Sequence, residues 1–454
     1  MGKLKTRSKA PIDDINKVVI DNFITIDTLA SIRVDPRRSP PCAQTANGGP
    51  IVLTEIIHWA ALALGTVISF IYFKNLGDLT QAVFKVERKG IVFAIRHEKA
   101  LVVTSLAALA VSAGLHFGQG AGVQWAFASI AGLDLAMIGF TLIWVHAAMR
   151  NQQDHARYFS NEEATSWLRP EESVIVIENA GEARAHPDHH LSRPHLAGSP
   201  DGLGGDNVIM TYCALTHLGV GYKAEIDGQP LDLEVAAQHG NNLIMKDRGT
   251  SEPIQQVYGT RECDGRRGAG MQAWPTFRMS FRGFKRAYPE GTVFLNPIAS
   301  VLKNPLLALF DRGVELAFLN SLIPHHNTER LMFETMDVED PRLPRKALVW
   351  GFEVGEESVA YTEEFVRANG NLVNATIGER RVVVAYDPEF ESLGVFYNET
   401  DGPIRNIDFW GESDQGRLAR VENLKPGAYW CVWVNYFPET KLNVNDGSEE
   451  VQAA

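Results

Sequence analysis

Three apolar stretches near the N-terminus decide the architecture of this chain. They are residues 51–73 (IVLTEIIHWAALALGTVISFIYF), 100–117 (ALVVTSLAALAVSAGLHF) and 123–149 (VQWAFASIAGLDLAMIGFTLIWVHAAM). Each approaches or exceeds the roughly 20 residues with which a helix crosses about 30 Å of hydrocarbon. One such stretch could be a buried helix of a soluble protein, but three in succession predict a membrane module at residues 51–149 with three spans.

Asp134 lies in the middle of the third stretch. A carboxyl group at that depth is costly and often functional. One isolated acid makes no proton relay, so a hydrogen bond between helices, or a protonated acid inside the bundle, is favoured over a transport role. The three spans are therefore interpreted first as an anchor.

The overall composition is that of a folded protein. Of the 454 residues, 45% are hydrophobic and 22% are charged, which excludes a disordered chain. The net charge of −12 argues against nucleic-acid binding, and four cysteines are too few for a scaffold built on disulfides. Residues 1–50 form a polar tail without the apolar segment of a cleavable signal peptide.

Charge alone does not orient the spans. The N-terminal tail carries eight Lys and Arg residues. Residues 74–99, taken as a loop, carry six, and Arg150, Arg157 and Arg169 bring the total for that side to nine. Three spans place these two groups on opposite sides of the membrane. The positive-inside rule therefore leaves both orientations open.

From about residue 170, short β-rich runs alternate with Gly, Asn and Asp turn signals. Convincing helices are few; Leu306–Leu322 is the best, and Tyr361–Asn369 is a shorter one. The pattern predicts an α+β, mainly β soluble domain behind the helical membrane bundle. The predicted strands include Val174–Ile177, Val208–Tyr212, Val382–Tyr386 and Val432–Val434.

The two halves of this domain resemble each other, which predicts an internal duplication. Chance similarity between β-rich segments is the alternative. The predicted parts are a first copy (170–300), a helical connector (301–345), a second copy (346–442) and a disordered tail (443–454). Four matches occur in the same order: Gly181–His186 with Gly355–Tyr361, Asn207–Tyr212 with Arg381–Tyr386, Asp227-Gly228 with Asp401-Gly402, and Tyr288–Thr292 with Phe437–Thr440.

The first copy carries a group of residues that the second copy lacks. A cysteine thiolate together with imidazoles suits copper or zinc, which makes a metal-binding domain one hypothesis. The opposing interpretation is a solvated histidine-rich loop beside a buried, inert cysteine. The candidate ligands are Cys213, His217, His195, His186, His189 and His190, with His239 a weaker one.

Four motifs in this region resemble the domain-of-unknown-function 3179 family over roughly residues 170–442. They are Gly181–Pro187 (GEARAHP), Val208–Leu215 (VIMTYCAL), Asn242–Thr250 (NLIMKDRGT) with Gln255 beyond it, and Asp340–Pro344 (DPRLP). The resemblance implies a bacterial or archaeal protein with an extracytoplasmic domain, because the family commonly carries a signal peptide or membrane anchor. It implies no reaction, since the family has no established activity.

The chain departs from the family pattern at the cysteine motif. The family usually shows Tyr-Cys-Pro-Leu-Cys, whereas here Ala214 replaces the proline and Thr216 replaces the second cysteine. A Cys-x-x-Cys redox pair is therefore excluded, although His217 could supply a nitrogen ligand nearby. The family's Ala-Tyr-Pro is Ala185-His186-Pro187 here, and His195 corresponds to a family histidine.

Two further hypotheses remain beside metal binding. One is an enzyme with Cys213 as nucleophile, His217 or His195 as base and Asp247 as orienting carboxylate. The other is a non-catalytic accessory or scaffold subunit that contacts the bilayer and other subunits of a membrane complex. Asp247 and Arg248 are also consistent with a structural ion pair that closes a turn, and Gln255 with an ordinary strand residue.

Overall fold

The computed structural model describes residues 48–262, 265–297, 302 and 304–443. The chain divides into a unit at residues 1–53, of which only the first turns of a helix are described, and a second unit that begins at Thr54. The polar tail predicted at the N-terminus lies outside the described residues up to residue 47. The tail predicted at the C-terminus lies outside them from residue 444.

The membrane module is helical, as the apolar stretches predict. Three of its helices are long and apolar enough to cross a membrane, over Val52–Leu76, Glu98–Gln119 and Gln124–Ala148. Residues 74–99, predicted as a loop, instead contain a 3-10 turn at Asp78–Ala82 and a helix. The helices are α1 (Gly48–Leu76), α2 (Arg88–Arg96), α3 (Glu98–Gln119) and α4 (Gln124–Leu142), the last continuing as a π-helix over Ile143–Ala148.

Small residues bring α1 and α3 close together. The hydroxyl of Ser105 donates to the carbonyl of Gly65 at 3.0 Å, and a β-carbon on Gly65 would touch Leu109 at 3.3 Å. Leu62, Leu109 and Phe127 form a common apolar core. Close packing between small residues is the usual way in which membrane helices associate.

The rest of the described chain is a mixed α/β domain rich in strands. Its first half contains β1 (Tyr158–Ser160), α5 (Asn161–Ala164), β2 (Ser173–Asn179), β3 (Glu182–Pro187), α6 (Asp188–Leu191), β4 (Leu196–Ala197), β5 (Val208–Cys213), β6 (Leu218–Lys223), β7 (Glu225–Ile226), β8 (Gln229–Pro230), β9 (Leu233–His239), β10 (Asn242–Asp247), β11 (Pro253–Gln255), β12 (Thr260–Arg261), β13 (Ala273–Trp274), β14 (Thr276–Ser280), α7 (Phe281–Ala287) and β15 (Thr292–Phe294).

A long helix, α8 (Pro305–Asn327), follows the first half and extends the predicted Leu306–Leu322 at both ends. The side chain of Asn304 caps its first turn by accepting from the backbone N–H of Leu307. The second half contains β16 (Leu348–Val354), β17 (Glu357–Tyr361), α9 (Glu363–Ala368), β18 (Leu372–Ile377), β19 (Arg380–Asp387), β20 (Ser392–Tyr397), β21 (Glu412–Ser413), β22 (Gly416–Arg417), β23 (Lys425–Tyr429), α10 (Trp430–Tyr436) and β24 (Lys441–Asn443).

The strand orders of one sheet in each half are alike except for the additional edge strand β1 in the first half. In the first half the order is β1-β15-β3-β2-β14, and in the second it is β24-β17-β16-β23. In both sheets the two central strands form an antiparallel hairpin, β2-β3 in the first half and β16-β17 in the second. An antiparallel strand pairs with one side of each hairpin, and a parallel strand pairs with the other side. A short helix follows the antiparallel neighbour each time, α7 after β14 and α10 after β23.

The first half also contains a sheet without a counterpart among the described residues of the second half. Its order is β12-β11-β10-β9. Ala236 and Ile244 of this sheet share an apolar core with Tyr72, Leu76 and Val145 of the membrane module. This membrane-facing sheet therefore packs the domain directly onto the bundle.

One predicted strand is wrong. Val432–Val434 lies in α10, where Trp430, Val432, Trp433 and Val434 are all buried. A short apolar run that is buried on every side has no periodicity by which a strand is told from a helix. The helix predicted at Tyr361–Asn369 exists as α9 but begins later, because Tyr361 ends β17.

Candidate functional site

His217 lies in the turn between β5 and β6 and has a positive φ of 58°. Its Nδ1 lies 2.9 Å from the carbonyl oxygen of Gly427, and its Nε2 lies 3.1 Å from Oδ2 of Asp188. The imidazole stacks on Tyr429, with ring centroids 5.4 Å apart. Since β23 carries Gly427 and Tyr429, this histidine joins the two halves of the domain.

Arg278 on β14 completes this contact between the halves. Its guanidinium donates to Oδ2 of Asp188 at 2.7 Å, to the carbonyl of His217 at 2.7 Å and to the carbonyl of Pro426 at 2.9 Å. Burial opposes ionisation of Asp188, but the charges and hydrogen bonds of Arg278 and His217 together outweigh it and hold the pKa of that carboxyl well below its usual value. The arrangement is a charged clamp between two sheets.

His325 and His326, at the end of α8, adjoin the same clamp and were not selected from the sequence. Nδ1 of His326 lies 2.7 Å from the hydroxyl of Tyr429, and Nε2 of His325 lies 2.9 Å from the carbonyl of Leu215. Burial lowers the pKa of each histidine to about 4, so both are neutral near pH 7. Two adjacent histidines at the end of a predicted helix are the sequence signal that could have identified them as candidate site residues.

Cys213 is buried at the end of β5. Its Sγ contacts the carbonyl oxygen of Asn241 at 3.6 Å, and burial raises the pKa of the thiol. It lines a small cavity of about 40 Å³ with His195, Asp78 and Gln238. A thiol with a raised pKa is a poor nucleophile, so this environment is that of a structural cysteine.

Two polar residues that line this small cavity, Asp78 and Gln238, are in environments that do not fully compensate their burial. Burial raises the pKa of Asp78 to about 7, although its carboxylate accepts from the indole of Trp144 and the backbone of Gln238. Both side-chain ends of Gln238 are buried without a hydrogen-bond partner among the described residues. The volume is enough for one or two water molecules.

The remaining candidate histidines occupy separate environments. His186 lies between the carbonyl of Ile175 and the hydroxyl of Tyr158, and burial lowers its pKa to about 3. His190 accepts from a backbone N–H, and burial lowers its pKa to about 3 as well. His189 is half-exposed and pairs with Glu172 at 2.6 Å. The three side chains thus serve different local contacts.

Asp247, Arg248 and Gln255 also have separate partners. Oδ2 of Asp247 accepts from the backbone and hydroxyl of Thr250, which closes the turn after β10. Arg248 pairs with Glu234 and with Asp232 rather than with Asp247. The amide of Gln255 donates to Asn242 and Leu243 inside the sheet and accepts from Arg88 of α2.

The proposed copper or zinc ligands are not assembled into one group. Within the part of the chain that the structure describes, no three His, Cys, Asp or Glu side chains lie together as metal ligands would. Cys213 and His217 share one turn, but the first contacts Asn241 while the second contacts Asp188 and Gly427. Both nitrogens of His217 already face protein acceptors.

A dense charged cluster lies where the bundle meets the membrane-facing sheet. This junction network consists of Glu98, His146, Glu234 and Lys246. The ammonium of Lys246 pairs with Glu98 and lies 3.0 Å from Glu234, while Nε2 of His146 lies 2.8 Å from Glu98. The side chains of Lys246, Glu98 and Glu234 are only 6, 8 and 10% exposed.

The local backbone places these groups. His146 lies in the π-helix at the end of α4, a distortion that is frequent at functional sites. Burial opposes ionisation of Glu234, but hydrogen bonds from His146 and the charge of Lys246 outweigh it and lower its pKa to about 2. Tyr72 of α1 donates to Glu98 at 2.7 Å, so three membrane helices contribute to the network.

Asp134 is not part of this network. It is buried between helices and accepts from the hydroxyls of Thr66 at 2.9 Å and Ser69 at 3.1 Å. This is the interhelical hydrogen bonding that its position favoured in the sequence.

A cleft of about 860 Å³ lies between the segment that follows α1 and the domain. The turn after α1, the floor of the domain and residues 330–337 line it. Gln81 and Thr335 line this cleft, and Oε1 of Gln81 and the hydroxyl of Thr335 are buried without a hydrogen-bond partner among the described residues. Lys85, Arg88 and Arg330 in the lining are balanced by three acids, Glu87, Glu334 and Asp337, so the cleft is polar without an excess of either charge.

The family of the chain is established over residues 152–440, well over half of its length. That segment matches the family described as "Protein of unknown function (DUF3179)". The chain belongs to the DUF3179 family. No curated protein and no solved structure matches it.

Proposed function

We propose that this DUF3179 protein is an accessory or scaffold subunit of a membrane complex, whose domain and three-helix bundle act as one rigid body. The junction network is the observation that carries this proposal. A passive anchor needs only apolar helices and a linker, whereas Glu98, Glu234 and Lys246 are buried together beside the partly exposed His146, and each buried ion costs several kcal/mol to desolvate. Such groups specify one arrangement of the elements that bear them.

The contacts around the network support the same conclusion. Arg88 of α2 pairs with Glu262 at 2.6 Å, and Arg96 pairs with Glu252 at 2.6 Å. Gln81 donates to the carbonyl of Gln238 at 2.8 Å. The segment between the first two spans is therefore tied to the membrane-facing sheet along its length.

Distance measurements test the rigid body. Spin labels on α3 at Leu106 and on the domain at Glu379, both exposed, should give one narrow distance distribution in nanodiscs. The same pair in Lys246→Met should give a broader one. A broad distribution in the wild-type protein would mean that the bundle is a tether and would end the proposal.

Native mass spectrometry of the protein extracted in lipid nanodiscs tests the role as a subunit. A second polypeptide at fixed stoichiometry is the expected result. A single chain, or only copies of this chain, would contradict the part of the proposal that concerns a complex.

We further propose that the domain is extracytoplasmic and that its two halves are copies of one unit. The matching strand orders and the matched sequence segments support the duplication. The signal peptide or membrane anchor that the family commonly carries supports the extracytoplasmic location of the domain. Labelling of Cys42 from outside intact cells, with a protected C-terminal tag, would reverse the assigned orientation.

A further inference from the structure

We propose that α8 rests on the bilayer, with one apolar face in the boundary between lipid headgroups and acyl chains. The helix follows the first half of the domain and is outside the set of three candidate spans. The proposal concerns a fourth contact with the membrane and does not depend on the junction network.

The exposed face of α8 is apolar. Leu306, Leu309, Leu316 and Ile323 are 80, 71, 61 and 52% exposed, and their spacing places them on one side of the helix. Leu302, just before the helix, is 97% exposed. Large side chains exposed in such a row mark an interaction surface rather than scattered surface residues.

The opposite face holds α8 against the domain. Asp311 is fully buried and pairs with Arg193 at 2.9 Å and with Arg150 at 3.1 Å. Ala308 and Leu322 are buried on the same side. The apolar row therefore points away from the protein.

The partners of Asp311 locate the helix relative to the membrane. Arg150 follows only two residues after Ala148, which ends the third candidate span, and Arg193 donates to the carbonyl of Ala148. A helix is about 10 Å across, and an interfacial helix buries its apolar face by about 5–10 Å at the edge of the hydrocarbon. A helix pinned at the end of a span therefore lies at the depth where an outward apolar face meets lipid.

A second copy of the chain is the competing occupant. The exposed row follows a spacing of three and four residues, as in a coiled coil, but Gly313 and Asn320 interrupt it. The row also lasts less than the three to four heptads that indicate a coiled coil. Arg312, exposed at the edge of the row, suits contact with lipid phosphate instead.

Fluorescence quenching in nanodiscs tests this proposal. A bimane label is placed at Leu309→Cys or Leu316→Cys in a chain whose Cys42 and Cys263 are replaced by serine; the other two cysteines, Cys213 and Cys431, are buried. The nanodiscs contain phosphatidylcholine and phosphatidylglycerol with a nitroxide in the upper acyl chain. Labels at Leu106→Cys on α3 and Glu379→Cys on the domain are the lipid-exposed and water-exposed controls.

We expect both labels on α8 to be quenched by the nitroxide lipid as strongly as Leu106→Cys and to lose most of the iodide quenching seen at Glu379→Cys. Iodide quenching equal to that of Glu379→Cys would overturn the proposal. Protection from both quenchers, together with a disulfide between two Leu309→Cys chains, would overturn it in favour of a dimer.

Discussion

Lys246 is the residue whose removal tests the junction network most directly. Its side chain is 6% exposed and pairs with both Glu98 and Glu234, which His146 also contacts from its more exposed position. Lys246→Met keeps most of the aliphatic volume but removes the positive charge that pairs with the two buried carboxylates. Breaking a buried ion pair by removing one partner costs about 3–5 kcal/mol.

That cost converts into a shift of the thermal midpoint. At about 2.1 cal/mol/K per residue, unfolding a domain of about 290 residues changes the entropy by about 0.6 kcal/mol/K. Lys246→Met should therefore lower the midpoint of the detergent-solubilised protein by about 5–8 °C, followed by near-ultraviolet circular dichroism. Lys223→Met is the matched control, since Lys223 pairs at the surface with Asp206 and Glu225 and its loss should leave the midpoint near that of the wild type.

A double variant separates the network from a general packing defect. Glu234→Gln added to Lys246→Met removes one of the stranded acids, so the double variant should unfold at a higher temperature than Lys246→Met alone. A midpoint for Lys246→Met equal to that of Lys223→Met would refute the reasoning, and so would simple additivity in the double variant.

Three further outcomes follow from single sites. The pKa of Glu234 is lowered to about 2 on folding, from about 4.5 in the unfolded chain. The stabilisation that this carboxylate provides is therefore present above about pH 4.5 and is lost as the pH falls towards about 2. Measured between these pH values, the free energy of unfolding should fall less in Glu234→Gln than in the wild type. Gly122 and Gly120 have similar positive φ angles, +74° and +70°, but a β-carbon on Gly122 would collide with the imidazole of His58, whereas one on Gly120 would meet open space. Gly122→Ala should therefore lower the thermal midpoint clearly more than Gly120→Ala does. Equal effects would mean that only backbone strain matters. Cys213 is 2% exposed with a raised pKa, so maleimide should modify it, as mapped by mass spectrometry, only after denaturation; rapid labelling of the folded protein would reopen its role as a nucleophile.

The helical membrane module was predictable because its signal is local. Length and apolar content alone decide whether a helix can cross hydrocarbon, and three stretches met that condition. The strands at Val174–Ile177, Val208–Tyr212 and Val382–Tyr386 were equally predictable, since β-rich runs between turn residues are a local signal. By contrast, Val432–Val434 was assigned to a strand, because propensity is weak evidence where burial on all sides decides the conformation.

The candidate site shows the limit of reading residue types along the chain. Clustering in sequence suggested that Cys213, His217 and the histidines at 186–195 belong together. The structure distributes them over different elements, because His186 lies in β3, His189 and His190 in α6, and Cys213 at the end of β5. His217 meets Asp188, Arg278 and Tyr429, which come from different elements. No spacing rule in one sequence predicts such a meeting.

Local signals along the chain predict three apolar helices, a strand-rich domain that resembles the DUF3179 family, and the long helix α8. Each rests on composition, periodicity or motif, which act over a few neighbouring residues. How these parts meet depends on contacts between residues that are far apart in the chain. Glu98, His146, Glu234 and Lys246 are up to 148 positions apart, and they become one network because the membrane-facing sheet packs on the bundle, where burial makes every unpaired charge costly.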